Sequence, residues 1–340
     1  ALLLDADANA GPVKLKAIGR LDREYKTNYL KRLENLNRTN IPLPGPGDNL
    51  MDTYNQGELR EAHAQFNLGD RVTLRLGKQQ VVWGETDFFR AMDVVHGFDY
   101  RWRSFLEVEN EELRKPLILA NAMIKVPEAK GSLQLIFRPG WDRDKDIGNT
   151  YELSGGRWAA QPNKGVDFLK LMNYDHRHPD ADTSDRTWGL RWAGIAGPVN
   201  YSVAYLKTFN NDPVVNSAFV PYQKAPSGAI GDFIYPKISL LGFTLSGYSP
   251  AADAVFSTEV VYTKDQAFNV GSNFFGGALP GFGGIKKKDT VLTMLRMDKQ
   301  VSLQRILGTS RPSFFSVQLF DTWIQNYSAA DDIVQLAGYG

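Results

Sequence analysis

The chain has 340 residues, 39 basic against 38 acidic, and no cysteine. Balanced charge gives no support to a nucleic-acid partner, and the missing cysteine excludes thiolate chemistry, Cys-ligated zinc and disulfides. No run approaches the ~18 apolar residues of a membrane helix, and the mean hydropathy of −0.33 reads as water-soluble unless strands alternate between lipid and lumen, which averages that index away.

The opening ALLLDADANA is too short and too uncharged for an intact signal peptide and reads as the start of a mature or trimmed chain. Period-two alternation begins at 13–25, where Val13, Leu15, Ala17, Gly19 and Leu21 oppose Lys14, Lys16, Arg20, Asp22 and Glu24, with Ile18 on the polar side. It continues at 59–68, where Glu61, His63, Gln65 and Asn67 form the wet row, and at 71–82, where Arg71, Thr73, Arg75 and Gln79 do. Further strands are predicted at 116–126, 132–138, 187–194, 199–209, 237–247, 254–264, 290–302 and 313–324, with a weak twelfth from Ile333.

Long connections (26–58, 83–115, 139–186, 210–236, 265–289) alternate with short ones (69–70, 127–131, 194–198, 249–253, 303–312). Nothing in a soluble sandwich imposes that order, whereas a membrane barrel has long outer loops and short inner turns. Trp83, Trp141, Trp188, Trp192, Tyr201, Tyr205, Phe209, Tyr262 and Trp323 gather near strand ends, as interfacial girdles do; the plainer account is the strand preference of aromatics. The predicted fold is therefore all-β: an antiparallel transmembrane β-barrel of at least 12 strands with long extracellular loops and short periplasmic turns. Residues 1–340 form one domain, with 83–115 inserted in the lumen. Eleven firm strands, set against the even number of bacterial barrels, point to an unseen strand or a chain incomplete at one or both ends.

The inward residues Glu61, His63, Gln65, Arg71, Arg75 and Gln79 are expected to line the pore. Glu85, Arg90, Arg101, Arg103 and Arg114, on an aromatic-rich loop, are expected to narrow it. Gly77, Trp83, Gly84 and Glu85 form a structural motif: Gly77 admits a close neighbour, Gly84 lets the chain leave the sheet, and Glu85 needs a cation such as Arg75 or Arg114. Asp142, Asp144 and Asp146 place oxygens at alternating positions, as calcium prefers. That string misses the EF-hand register, so a solvated loop is the plainer reading. His176 and His178 have no third zinc ligand. No nucleophile elbow, zinc-protease, P-loop or dinucleotide motif is present, so no enzyme and no cofactor is expected; a barrel lipase would need His63 as its base.

The string Arg75-Leu76-Gly77-Lys78-Gln79-Gln80-Val81-Val82-Trp83-Gly84-Glu85-Thr86, followed by Glu112-Leu113-Arg114-Lys115-Pro116, resembles the signature of an uncharacterised proteobacterial outer-membrane family, a porin-like domain of unknown function. The Asn-Pro pair frequent after W-G-E in that family is replaced here by Ala91-Met92. The resemblance implies a Gram-negative outer-membrane barrel surrounded by lipid and lipopolysaccharide. It also implies a small, lipophilic cargo and a periplasmic partner of lipoprotein-carrier fold. The expected function is passive passage of small molecules. A barrel enzyme acting on lipid and a soluble sugar-binding β-sandwich are the alternatives.

Overall fold

Alternation along each strand decides which side of the sheet a residue meets. The computed structural model describes residues 1–23, 25, 27, 28, 31, 55–84, 86, 90–100, 110–150, 172–271 and 280–334. Its strands are β1 (Leu2–Ala10), β2 (Val13–Asp22), β3 (Gln56–Leu68), β4 (Val72–Gln79), β5 (Leu117–Val126), β6 (Gly131–Arg138), β7 (Met172–Tyr174), β8 (Arg177–His178) and β9 (Ala181–Asp182). They continue with β10 (Thr187–Ala196), β11 (Val199–Phe209), β12 (Val214–Ser217), β13 (Gly231–Ile234), β14 (Lys237–Ser249), β15 (Ala254–Val270), β16 (Ile285–Val301), β17 (Ser313–Ile324) and β18 (Ile333–Val334).

Twelve of these form one antiparallel meander in the order β1-β2-β3-β4-β5-β6-β10-β11-β14-β15-β16-β17. This is the all-β, antiparallel architecture of at least 12 strands expected from the sequence. β1 and β17 are its margins, and no ladder joins them among the described residues. Short turns and long connections alternate along the meander, so all short turns lie at one end. β12, β13 and β7 make a small separate sheet in the long connections; its Val214 and Ile234 pack on Ala267 of β15.

The wall is curled. Glu112, in the one-turn helix Asn110–Leu113, accepts from Arg20 of β2, and the Met92 amide donates to Glu259 of β15 at 2.8 Å. Nine strands lie between and including β2 and β15; flat, they would span about 38 Å. Met92 and Glu112, twenty positions apart, reach both because the sheet wraps around them.

Registers show what each face carries. Across β10, β11, β14 and β15 the outward rows read Trp188-Lys207-Ser239-Lys264, then Leu190-Tyr205-Leu241-Tyr262, then Trp192-Val203-Phe243-Val260. Leu241, Phe243, Leu245, Leu295 and Leu319 are all exposed. The inward rows read Gly189-Leu206-Leu240-Thr263, then Arg191-Ala204-Gly242-Val261, then Ala193-Ser202-Thr244-Glu259. The interior thus runs from apolar at the long-connection end to polar toward the short turns, where the Ser202 and Thr244 hydroxyls bond at 2.7 Å.

Several expectations change. The unseen strand is β1, in residues read as a bare chain start. The weak strand at Ile333 is not a wall strand but a two-residue partner of Asn269 and Val270. β15 and β16 run past their predicted limits to Val270 and back from Ile285, with an irregularity between Thr263 and Gln266. Trp83 and Phe209 are no girdle residues: both are buried in the interior apolar cluster, Trp83 because the chain has left β4 at Gln79 and turned inward, Phe209 at the last position of β11, two residues beyond the outward Lys207. A second irregularity, between Ile18 and Gly19, adds Arg60 to β3 and turns both Arg60 and Glu61 inward.

Candidate functional site: the segment held inside the wall

β4 ends at Gln79, where its pairing with β5 stops at Leu117. The chain then turns into the interior. Gln79 is fully buried and begins a line of amides. It donates to the Leu119 carbonyl at 3.1 Å and accepts from Asn121 at 3.1 Å. Asn121 accepts from Gln134 at 3.0 Å, and Gln134 accepts the Trp83 indole N–H at 2.9 Å. Every buried amide in the line has a partner, which such groups require, and the last one fixes Trp83.

Two wall glycines receive the segment. A Cβ on Gly189 would stand 2.7 Å from both Trp83 Cη2 and Leu206 Cδ1, and one on Gly242 would stand 2.7 Å from Met92 Cε and closer still to its sulfur. Trp83, Ala91, Met92 and Val95 join inward Leu117, Leu119, Ile136, Leu206, Ile238, Leu240, Val261 and Met294 in one apolar cluster. The upper interior is therefore filled by close packing and is not the uniformly polar lumen the alternation suggested.

His96 is the segment's polar pin. Its Nε2 accepts the Val81 N–H at 2.8 Å, and its Nδ1 donates to the Lys115 carbonyl at 3.0 Å. Complete burial, with the Arg114 charge nearby, pushes its pKa down to about 3, so the ring is neutral and these partners set its tautomer. Asn211 Nδ2 donates to the His96 carbonyl, and the Asn149 side chain accepts the Phe98 N–H.

Arg114, 4% exposed, pairs with equally buried Asp93 at 2.5 Å and donates to Gln80 at 3.1 Å. Gln80 donates to Glu61 at 3.2 Å, which lies 3.6 Å from His63. Arg75 bonds Gln65 at 3.2 Å. These polar groups line the side of β3 and β4 beneath the segment. Arg90 stacks its guanidinium 3.2 Å above the Phe98 ring.

The predicted residues are thus divided. Glu61, His63, Gln65 and Arg75 face inward together, and Arg114 anchors the segment above them. Gln79 lies under the packed segment, away from any open passage. Arg71 sits in the β3–β4 turn and pairs with Glu128 at 2.7 Å, both exposed. Glu85, Arg101 and Arg103 lie outside the described residues; Arg114 and Arg75, suggested partners of Glu85, bond Asp93 and Gln65. Gly77 has φ +126°, and a Cβ there would stand 2.8 Å from His63 Cα. The chain leaves the sheet at Gln79, five residues before Gly84.

The three carboxylates considered for calcium do not converge. Asp142 takes the Ile118 N–H and Arg138. Asp144 takes Thr183 and Arg177. Asp146 takes Arg143 and Lys78; burial raises its pKa, but those two cations outweigh it and hold the carboxyl below its ordinary value. Among the described residues no three His, Asp or Glu groups gather as a metal site. Sequence reasoning missed Met92, His96, Gln134, Gly189 and Gly242. A glycine inside an alternating strand, as in TWGLRW and LLGFTL, is the signal that could have found the last two.

The family model described as "Protein of unknown function (DUF1302)" matches residues 13–337. No curated protein matches the chain. Among solved structures, it is similar to outer-membrane expressed OmpT of Vibrio cholerae, at 6% identity and a TM-score of 0.41 over 95% of this chain and 68% of that one. It is also similar to Pseudomonas aeruginosa OccK7 (OpdD), at 11% identity and 0.36 over 94% and 64%. A third is Salmonella typhi OmpF, solved in complex with daunomycin, at 9% identity and 0.35 over 94% and 89%.

Proposed function

We propose that this chain, which belongs to the DUF1302 family, is an outer-membrane barrel that passes small lipophilic molecules through an interior occluded by its own residues 81–84 and 90–100. The carrying observation is the inward apolar lining. Leu206, Ile238, Leu240, Val261 and Met294 face the interior and are buried there in one cluster with the segment's Val81, Trp83, Ala91, Met92 and Val95. A water-filled pore would present polar groups at these positions. A greasy guest that displaces the segment meets apolar walls first and polar rows further in.

The membrane setting rests on the outer face. Exposed Leu241, Phe243, Leu245, Val260, Leu295 and Leu319 make a continuous apolar surface, far larger than a soluble monomer carries. From the Lys207 row to Val199 is eight residues of tilted strand, about 20 Å in height, close to the ~25 Å belt of such barrels.

The purified chain, reconstituted in proteoliposomes, should carry an apolar fluorescent dye across the bilayer faster than protein-free vesicles do, while conducting ions poorly. Deleting 86–113 should raise ion conductance severalfold. Dye movement equal to that of empty vesicles, with conductance unchanged by the deletion, would sink the proposal.

A further inference from the structure

The outer face carries a charged row that the channel reading leaves unused. Trp188, Lys207, Ser239 and Lys264 are direct neighbours across β10, β11, β14 and β15. One step toward the short turns lies Leu190-Tyr205-Leu241-Tyr262, and next beyond it the apolar row Trp192-Val203-Phe243-Val260. Trp188 is 43% exposed and touches Tyr205, their ring centroids 5.2 Å apart. Both lysines are exposed, and among the described residues neither ammonium takes part in a hydrogen bond or ion pair. The nearby Asp289 accepts from the Tyr262 hydroxyl at 2.5 Å and from the Asp265 N–H at 3.0 Å, and feels the Lys264 charge without a direct ion pair.

We infer that this row is a docking site for the phosphorylated sugar headgroup of lipopolysaccharide. The inference rests on the proposed membrane orientation, with the long connections outside. Two ammonium groups then sit two strand spacings apart, about 10 Å, at the level where acyl chains give way to headgroups. Each meets one phosphate. The Ser239 hydroxyl lies between them as a further donor, the exposed Trp188 ring offers a face to the sugar, and the Tyr205-Leu241-Tyr262 row receives the acyl chains. Lysine held at a lipid surface by its stem over apolar neighbours can reach such phosphates without burying its charge.

The test uses the full chain in detergent and native mass spectrometry with three probes: diphosphorylated lipid A, monophosphoryl lipid A and phosphatidylglycerol. The double variant Lys207→Gln/Lys264→Gln should bind diphosphorylated lipid A about 30-fold more weakly than the parent, near fivefold per lysine. Lys207→Arg/Lys264→Arg should retain binding, and Lys14→Gln/Lys125→Gln, at the short-turn end, should leave it unchanged. Monophosphoryl lipid A should bind the parent more weakly than the diphosphorylated form. Unchanged affinity in the first variant overturns the inference. So does an equal loss for phosphatidylglycerol, which would mark a general anionic-lipid surface. Heat-modifiable gel migration of the same samples reports the barrel separately, and its absence in the parent would defeat the membrane reading itself.

Discussion

Replacing Gly242 by alanine is the sharpest probe of the occluded interior. The added methyl would fall inside the Met92 thioether, with Met92 Cε at 2.7 Å, where apolar carbons prefer about 3.5–4.0 Å. Met92 is fully buried and cannot swing into water, so the segment must retreat from β14 or the strand must bow. Overpacking of this kind costs about 1–3 kcal/mol; at ~2 kcal/mol the ratio of docked to displaced segment falls about 30-fold. Single-channel recording in planar bilayers should show more frequent open events, and thermal unfolding in detergent should shift downward. Met92→Ala alone leaves a cavity, costing ~2–5 kcal/mol. Gly242→Ala/Met92→Ala places the new methyl in that cavity, so its loss should fall short of the sum by at least ~1 kcal/mol. Strict additivity, or parent-like recordings from Gly242→Ala, would refute the packing argument.

Three further outcomes follow from the same segment. His96 has a folded pKa near 3 against 6.5 for the free ring, so as pH falls the unfolded chain takes the proton first. Its contribution is intact above pH 6.5 and declines toward pH 3, by ~2 kcal/mol at pH 5; in denaturant melts the stability lost between pH 8 and pH 5 should be smaller by that amount in His96→Gln than in the parent. Arg114→Met strands the buried Asp93 carboxylate and should cost ~3–5 kcal/mol, with Asp93→Asn in the same chain recovering most of it in equilibrium unfolding. Gln134→Leu leaves the Trp83 N–H without its acceptor and should cost ~1–3 kcal/mol, accompanied by a shift in tryptophan emission.

The wall was legible wherever apolar and polar residues alternate cleanly, as in 61–68 and 199–209. It was illegible at β1, because Leu2, Leu3 and Leu4 in succession mask the period. It was illegible again where Lys264-Asp265 and Lys286-Lys287-Lys288 extend β15 and β16 above the apolar band, since strand there is held by pairing rather than by a greasy face. The interior was the harder problem. In KISLLGFTLSG, Ile238 and Leu240 point in while Leu241, Phe243 and Leu245 point out, and a run apolar on both faces cannot announce which face meets lipid. The motif around Trp83 falls where β4 gives way to the buried segment. Its reading as a girdle residue failed because a tryptophan at a strand end looks the same whether it faces lipid or turns inward to an amide.

The Met92 amide is bonded to a residue 167 positions later in the chain, and Trp83 rests in a dent on β10. The strands that enclose these side chains are therefore synthesised long after them. Met92 and its neighbours thus reach their buried places only once β10 to β16 have formed, the late strands supplying the bed on which the early stretch comes to rest.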